Sequence, residues 1–273
     1  MQIENKVAVV TGGGSGIGRA LAVELARNGA QVVIGDLDER NAAEAARSVG
    51  DAATSIRADA STVDGVTSLI AEAERHFGPV DIFVANAGIV GAAGLGESAD
   101  WDKVLAINLR AHVNAAGLLL PAWRSRGSGY FVSVASAAGL LTQLGAAGYA
   151  VTKHAAIGFA EWLAITHGEE GIGVSCVCPL GVDTPLLAAV RSSSGLSRRI
   201  GAQSIIKSGS VISAAEVAAE TIGAVRAERF MVLPHPEVLG MFRGKGADYD
   251  GWIARMRRLQ RSLSDGASAP SDG

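Results

Sequence analysis

Along the chain, short apolar runs alternate with longer stretches in which apolar residues return every three or four positions. The short runs lie at residues 6–10, 31–35, 54–57, 80–85, 130–134, 173–177 and 230–233, and several are apolar throughout. A strand with one face in water alternates apolar and polar residues. A strand covered on both faces need not, so these runs predict parallel strands inside a covered sheet. The stretches between them carry the helical period. Ile17, Leu21 and Leu25 recur every fourth residue, and further helices are expected over 38–48, 63–77, 101–124, 148–168 and 214–226. The last opens with Ser213 and Glu216 at capping-box spacing.

This alternation predicts an α/β chain with one doubly wound parallel sheet of about seven strands and helices on both faces. The domain is expected to occupy residues 1–246. Residues 185–212 are rich in Ser and Gly with weak periodicity, and are expected to form a mobile substrate loop with helical patches. In 247–263, Tyr249, Trp252, Met256, Leu259 and Leu263 fall on one helical stripe, with Arg255, Arg257, Arg258 and Arg261 mostly off it. Such a basic amphipathic helix can lie on a membrane surface. Its Tyr, Trp and Met favour packing on its own subunit or a neighbour. Residues 264–273 are expected to be a disordered tail.

Composition narrows the function. The 273 residues are 48% hydrophobic, enough for a sizeable core, and the net charge of −3 gives no overall attraction to nucleic acid. No uninterrupted apolar run approaches the ~20 residues of a membrane span, and residues 1–5 lack a signal-peptide layout. Cys176 and Cys178, one residue apart, are expected to point to opposite faces of a strand, so no disulfide joins them. No Cys/His cluster completes a metal site, and a reduced, cytoplasmic setting is expected. Glycine is the outlier. Its 35 residues are about 13% of the chain against ~7% typically, which points to tight turns and close backbone approaches.

Those glycines concentrate where chemistry is expected. The first strand runs directly into Thr11-Gly12-Gly13-Gly14-Ser15-Gly16-Ile17-Gly18, and a helix starts at Gly16. Such a turn aims free N–H groups and a helix's positive end at an anion, and glycine lets a pyrophosphate come close. Asp36 ends the second strand, where a carboxylate accepts hydrogen bonds from ribose hydroxyls and repels a 2′-phosphate. NAD is therefore expected rather than NADP. A plainer alternative makes Asp36 the cap of the helix beginning near Asp38.

Tyr149 and Lys153 share one helix face, and Ser136 ends the fifth strand. A lysine ammonium beside a phenol favours the phenolate. Bringing tyrosine from about 10 to about 7 takes roughly 4 kcal/mol, which the lysine and an oxidised nicotinamide together are expected to supply. So tuned, Tyr149 removes an alcohol proton as hydride leaves the carbon, and Ser136 holds the reacting oxygen. Ser133 is read as packing, and His76, His112, His154, His167 and His235 as structural.

Taken together, these pieces resemble the short-chain dehydrogenase/reductases over about residues 3–235. The likeness rests on residues 11–18, Asp36, Asp59 and Ala60, Asn86-Ala87-Gly88, Asn108, Ser136, Tyr149, Lys153 and residues 179–184, in order and spacing. It implies a Rossmann-type fold with Asn108, Ser136, Tyr149 and Lys153 as catalytic residues. Gly12, Gly14, Ser15, Gly16, Ile17, Gly18, Asp36, Leu37, Asp59, Ala60, Asn86, Ala87, Gly88, Pro179, Val182 and Thr184, with Tyr149 and Lys153, would bind the cofactor. By the same likeness, Asn108 holds a relay water, Lys153 the nicotinamide ribose, Asp59 the adenine edge and Thr184 the carboxamide. Ala85 stands where the family has Asn. Leu180 stands where it has Gly, and is read as reaching the substrate pocket.

The pocket is expected between residues 89–96, 137–144 and 180–210. Its first two walls are mostly Ala, Gly, Val, Ile and Leu, suited to an apolar secondary alcohol or ketone. Arg198, Arg199 and Lys207 either meet an anionic substrate group or are solvated. A 3-oxoacyl-thioester reductase is the main rival, disfavoured through its usual NADPH; a non-catalytic nucleotide-binding module is the other. Pairing of the two long helices in a homodimer or homotetramer is expected from the family.

Overall fold

The structure, a computed structural model, describes residues 1–192 and 194–268. Strands β1 (Val7–Thr11), β2 (Gln31–Asp36), β3 (Ala53–Arg57), β4 (Ile82–Ala85), β5 (Gly129–Val134) and β6 (Ile172–Val177) match the apolar runs. Two-residue strands β7 (Val182–Asp183) and β8 (Ile212–Ser213) pair with each other, and β9 (Met231–Val232) joins the main sheet. That sheet is seven-stranded and parallel, in the order β3-β2-β1-β4-β5-β6-β9. Val9 stands between Val33 and Phe83 in register, and β1, β4 and β5 are buried along their whole length.

Helices α1 (Gly16–Arg27), α2 (Glu39–Val49) and α3 (Val63–His76) link the first four strands. After β4 come α4 (Ser98–Leu105) and α5 (Ala111–Arg126), joined without a break by a π-helical turn at Ala106–Arg110. Then follow α6 (Ala138–Leu141), α7 (Ala147–His167), α8 (Pro185–Ser192) and α9 (Leu196–Ser208). The last are α10 (Ala214–Arg226), α11 (Glu237–Ala247) and α12 (Tyr249–Ser268). Leu21, Ala45 and Val217 of α1, α2 and α10 pack on one sheet face against Ala8, Val10 and Ile34. Leu69, Trp123 and Leu163 of α3, α5 and α7 pack on the other against Val9, Phe83 and Phe131. The run Ser98–Arg126 is long and apolar enough by length and composition to cross a membrane. In this fold, its Ala115, Leu119 and Trp123 are core residues.

Three expectations are corrected and one helix is added. Residues 185–212 are mostly helical, as α8 and α9, because Leu187, Val190, Ile200 and Ala202 find a buried face despite the Ser/Gly content. Helix α11 is an addition; Gly240, Gly244 and Gly246 dilute its pattern. Helix α12 continues through 264–268, and the rest of the expected tail, 269–273, lies outside the described residues. Cys176 and Cys178 do not face apart. The strand ends at Val177, so the chain turns and brings the two buried sulfurs to 3.9 Å as free thiols.

Candidate active site

The strand order reverses between β1 and β4, and such a switch point opens a crevice beyond the carboxyl ends of the strands. A cavity of about 550 Å³ lies there. Gly12, Ser15, Gly16, Ile17, Asp36, Leu37, Asp59, Ala60, Asn86, Ala87 and Gly88 line one end. Ser136, Tyr149, Lys153, Pro179, Val182 and Thr184 line the middle.

The glycine turn is built by sterics. Gly12 and Gly16 have φ of 60° and 50°, the left-handed region that glycine occupies freely. A Cβ at Gly16 would press on Thr184 at 3.2 Å, narrowing the floor of the cavity. The turn therefore leaves a backbone-walled cradle at the start of α1, where an anionic pyrophosphate fits. Gly14 and Gly18 do not line it. The Gly14 N–H donates to Asp36 Oδ2 (3.0 Å), and a Cβ on Gly18 would strike the Gly12 carbonyl oxygen. Both are packing glycines, hidden in sequence because the motif does not say which N–H points outward.

Asp36 Oδ1 accepts from the Asp38 N–H at 3.0 Å. The helix cap is Asp38, whose side chain accepts from the Arg40 and Asn41 N–H groups. Asp36 is thus held by two backbone donors, one to each oxygen, and its carboxylate also faces the cavity. Asp59 lines the same end and accepts from Ser61 N and Oγ. Asn86 braces the turn from behind, its Nδ2 donating to Thr11 O at 2.8 Å.

In the middle, Lys153 is buried, and its Nζ donates to Val134 O at 2.9 Å. No carboxylate pairs with it among the described residues, and burial lowers its pKa to about 8. Tyr149 lies one turn away, with Lys153 Nζ 5.8 Å from the ring centre, and its hydroxyl is near Ser136. Burial raises the Tyr149 pKa above its ordinary value, outweighing the lowering by Ser136. The expected depression is therefore absent from the protein by itself. Ser136 Oγ also accepts from Ala138 N at 3.1 Å.

Asn108 is fully buried behind the cavity wall, in the π-helical turn. Its Oδ1 accepts from Ile89 N (2.9 Å), and its Nδ2 donates to Ile89 O (2.9 Å) and Thr152 Oγ1 (3.0 Å). Thr184 Oγ1 donates to Val182 O and accepts from Leu187 N, starting α8. Ser133 bonds His112, whose buried ring is held neutral with its pKa lowered to about 3, so both are packing residues.

The far end of the cavity was only partly foreseen. Leu180 does line it, together with Leu141, Leu144 and Ile205. Met241, Trp252, Met256 and Leu259 line it as well, the last three belonging to the apolar stripe on 247–263. Of the three loop cations, only Arg198 lines the cavity, and it donates to Gly91 O at 3.0 Å. His235 is buried beneath Leu180. Its Nδ1 accepts from Leu180 N and its Nε2 donates toward Gly181 O and Ser210 O, all at 3.1 Å.

Comparison with known proteins places the fold. Residues 6–195 match the short chain dehydrogenase family. The chain is 36% identical over 205 residues to a 3β-hydroxysteroid dehydrogenase of Mediterraneibacter gnavus, covering 73% of each chain. A short-chain dehydrogenase/reductase of Burkholderia phymatum, solved in complex with NAD, superposes with a TM-score of 0.82. It is 29% identical, over 92% of this chain and 96% of that one. A 3-ketoacyl-(acyl-carrier-protein) reductase of Brucella melitensis, complexed with NADH, gives 0.76 at 28% identity, over 85% and 97%.

Proposed function

The chain belongs to the short-chain dehydrogenase/reductase family, and on that premise we propose that it is an NAD(H)-dependent oxidoreductase acting on an apolar secondary alcohol or ketone. The observation that carries this is the alignment of Ser136, Tyr149 and Lys153 in one cavity with the glycine cradle and Asp36. NAD, when bound, supplies the hydride acceptor or donor. Asp36, held by two backbone N–H groups, has lone pairs left for the two ribose hydroxyls and opposes a 2′-phosphate.

In the oxidative direction, Ser136 holds the substrate oxygen and Tyr149 takes its proton; in reverse, Tyr149 returns it. Burial raises the Tyr149 pKa in the protein by itself, and an oxidised nicotinamide held beside the phenol would supply positive charge that opposes that shift. Lys153 orients the nicotinamide ribose, and Asn108 fixes the 89 loop and the relay behind it. The Brucella enzyme binds NADH, so cofactor choice by itself does not separate this reading from a thioester reductase. Exposed Val113 and Leu118 on α5, with Val151, Trp162 and Ile165 on α7, support pairing of these helices between subunits.

The test is a panel of secondary alcohols, ketones and 3-oxoacyl thioesters with NAD(H) and NADP(H), followed by nicotinamide absorbance. Turnover of apolar alcohols with NAD, lost in Tyr149→Phe, is expected. A preference for NADP, or for thioesters over every free ketone, refutes the corresponding half. Full turnover in Tyr149→Phe refutes the mechanism.

A further inference from the structure

Beyond the exposed Tyr249, the C-terminal stripe of α12 turns toward the protein. Trp252, Met256 and Leu259 line the cavity at its far end and Leu263 is fully buried, so one helix face is spent on the protein's own pocket. Trp252 to Leu259 is seven helical steps, a wall about 10 Å long at 1.5 Å per step. Met241 of α11 extends it, and Leu180 and Ile205 stand on the same end.

Most of the polar side chains around this end are engaged within the protein, Thr142 and Ser197 being the hydroxyls left for a ligand. Gln143 Nε2 donates to Leu144 O and Ser204 Oγ, Ser204 Oγ to Gly201 O, Ser208 Oγ to Ser204 O, and Arg198 to Gly91 O. A molecule entering here meets mainly hydrocarbon. A chain of two to four carbons would cover a small part of a 10 Å wall, whereas a fused ring body would cover most of it.

Beside its apolar packing, the wall is held by one buried cation. Lys245 of α11 is buried, and its Nζ donates to Leu140 O at 2.7 Å with the Tyr249 ring 5.3 Å away. Leu140 belongs to α6, the short helix that follows Ser136. Asp248 sets the turn into α12 by accepting from Gly251 N at 2.9 Å and pairing with Arg255 at 3.6 Å. The ammonium thus joins the C-terminal helices to the segment carrying the site's serine.

We propose that α11 and α12 form the specificity wall of the substrate site: Trp252, Met256 and Leu259 receive the fused alicyclic body of a secondary alcohol or ketone, and Lys245 is the positioning residue that docks the wall. The proposal rests on the dehydrogenase reading above. Its test compares 2-decalol with 2-butanol as substrates of the full chain, using NAD, alongside titration calorimetry of 2-decalone binding.

The ratio of kcat/KM for 2-decalol over 2-butanol falls at least tenfold in Trp252→Ala, the scale of lost contact in an apolar pocket, and falls also in Met256→Ala. Arg257→Ala, off the stripe and exposed, leaves the ratio unchanged. Lys245→Met raises KM for 2-decalol more than it lowers kcat, and Lys245→Arg restores much of the loss by keeping a donor to Leu140 O. Unchanged ratios in both stripe variants overturn the wall. An equal fall of kcat and kcat/KM in Lys245→Met overturns its positioning role. If neither alcohol turns over but 2-decalone binding weakens tenfold in Trp252→Ala, the wall stands and the dehydrogenase reading fails.

Discussion

Asn108 grips Ile89 at both its N–H and its C=O, and Asn108→Asp tests that clasp at constant shape. The Ile89 N–H keeps an acceptor, but the second carboxylate oxygen meets Ile89 O where an N–H had donated. Thr152 offers little relief, because its hydroxyl already donates within α7, to Gly148 O at 2.8 Å. One buried carbonyl loses its donor and one charge sits in a site with no solvent exposure, costing about 3 kcal/mol at pH 8. For a chain of this size, that lowers Tm by about 6–12 °C.

The variant escapes part of the cost by keeping its carboxyl protonated, so its folded pKa rises above the unfolded ~3.9. The unfolded chain then binds fewer protons between those two values, and stability lost at high pH returns as pH falls. Thermal melts of wild type and Asn108→Asp at pH 8 and pH 5 give the measurement. The gap is expected to be wider at pH 8. Wild-type Tm at pH 8, or a gap that widens toward pH 5, refutes the clasp.

Three other outcomes follow from the same structure. The folded pKa of Lys153, about 8, lies below its unfolded value, so the contribution of Lys153 to stability rises as pH passes from about 8 to about 10.5. Lys153→Met removes that rise, melts higher than wild type at pH 7, and loses turnover by at least about 100-fold; differential scanning fluorimetry across pH, with rates, checks it. His235→Phe strands the Leu180 N–H and two carbonyls, and is expected to cost about 2–3 kcal/mol and raise KM, read from melts and initial rates. Ile165, 82% exposed beside Trp162, belongs to the apolar patch on α7. Ile165→Glu is expected to lower the mass measured by light scattering, while an unchanged mass argues against α7 pairing.

The fold was largely legible because the central strands are buried on two faces and the flanking helices on one, which writes different periods into the chain. The cradle was legible in outline from glycines at Gly12 and Gly16, whose positive φ excludes most other residues. Gly14 and Gly18 look identical in the sequence, yet serve contacts with Asp36 and with Gly12 that depend on how the turn folds back. Helices α8 and α9 were hidden by serine and glycine content, because their stability comes from tertiary burial rather than propensity. The α12 stripe was visible, but a stripe does not name the surface it meets. The Tyr149 shift went the other way because local sequence shows the lysine and not the burial that opposes it.

The central claim is that this cavity moves a hydride between a secondary alcohol and NAD with Tyr149 handling the proton. The most direct measurement uses an apolar secondary alcohol deuterated at the carbinol carbon, with mass analysis of the nicotinamide product. The account predicts NADH heavier by one deuterium in wild type, and no such product in Tyr149→Phe at the same cofactor occupancy. Labelled NADH formed equally by both proteins, or unlabelled NADH from wild type, would contradict it.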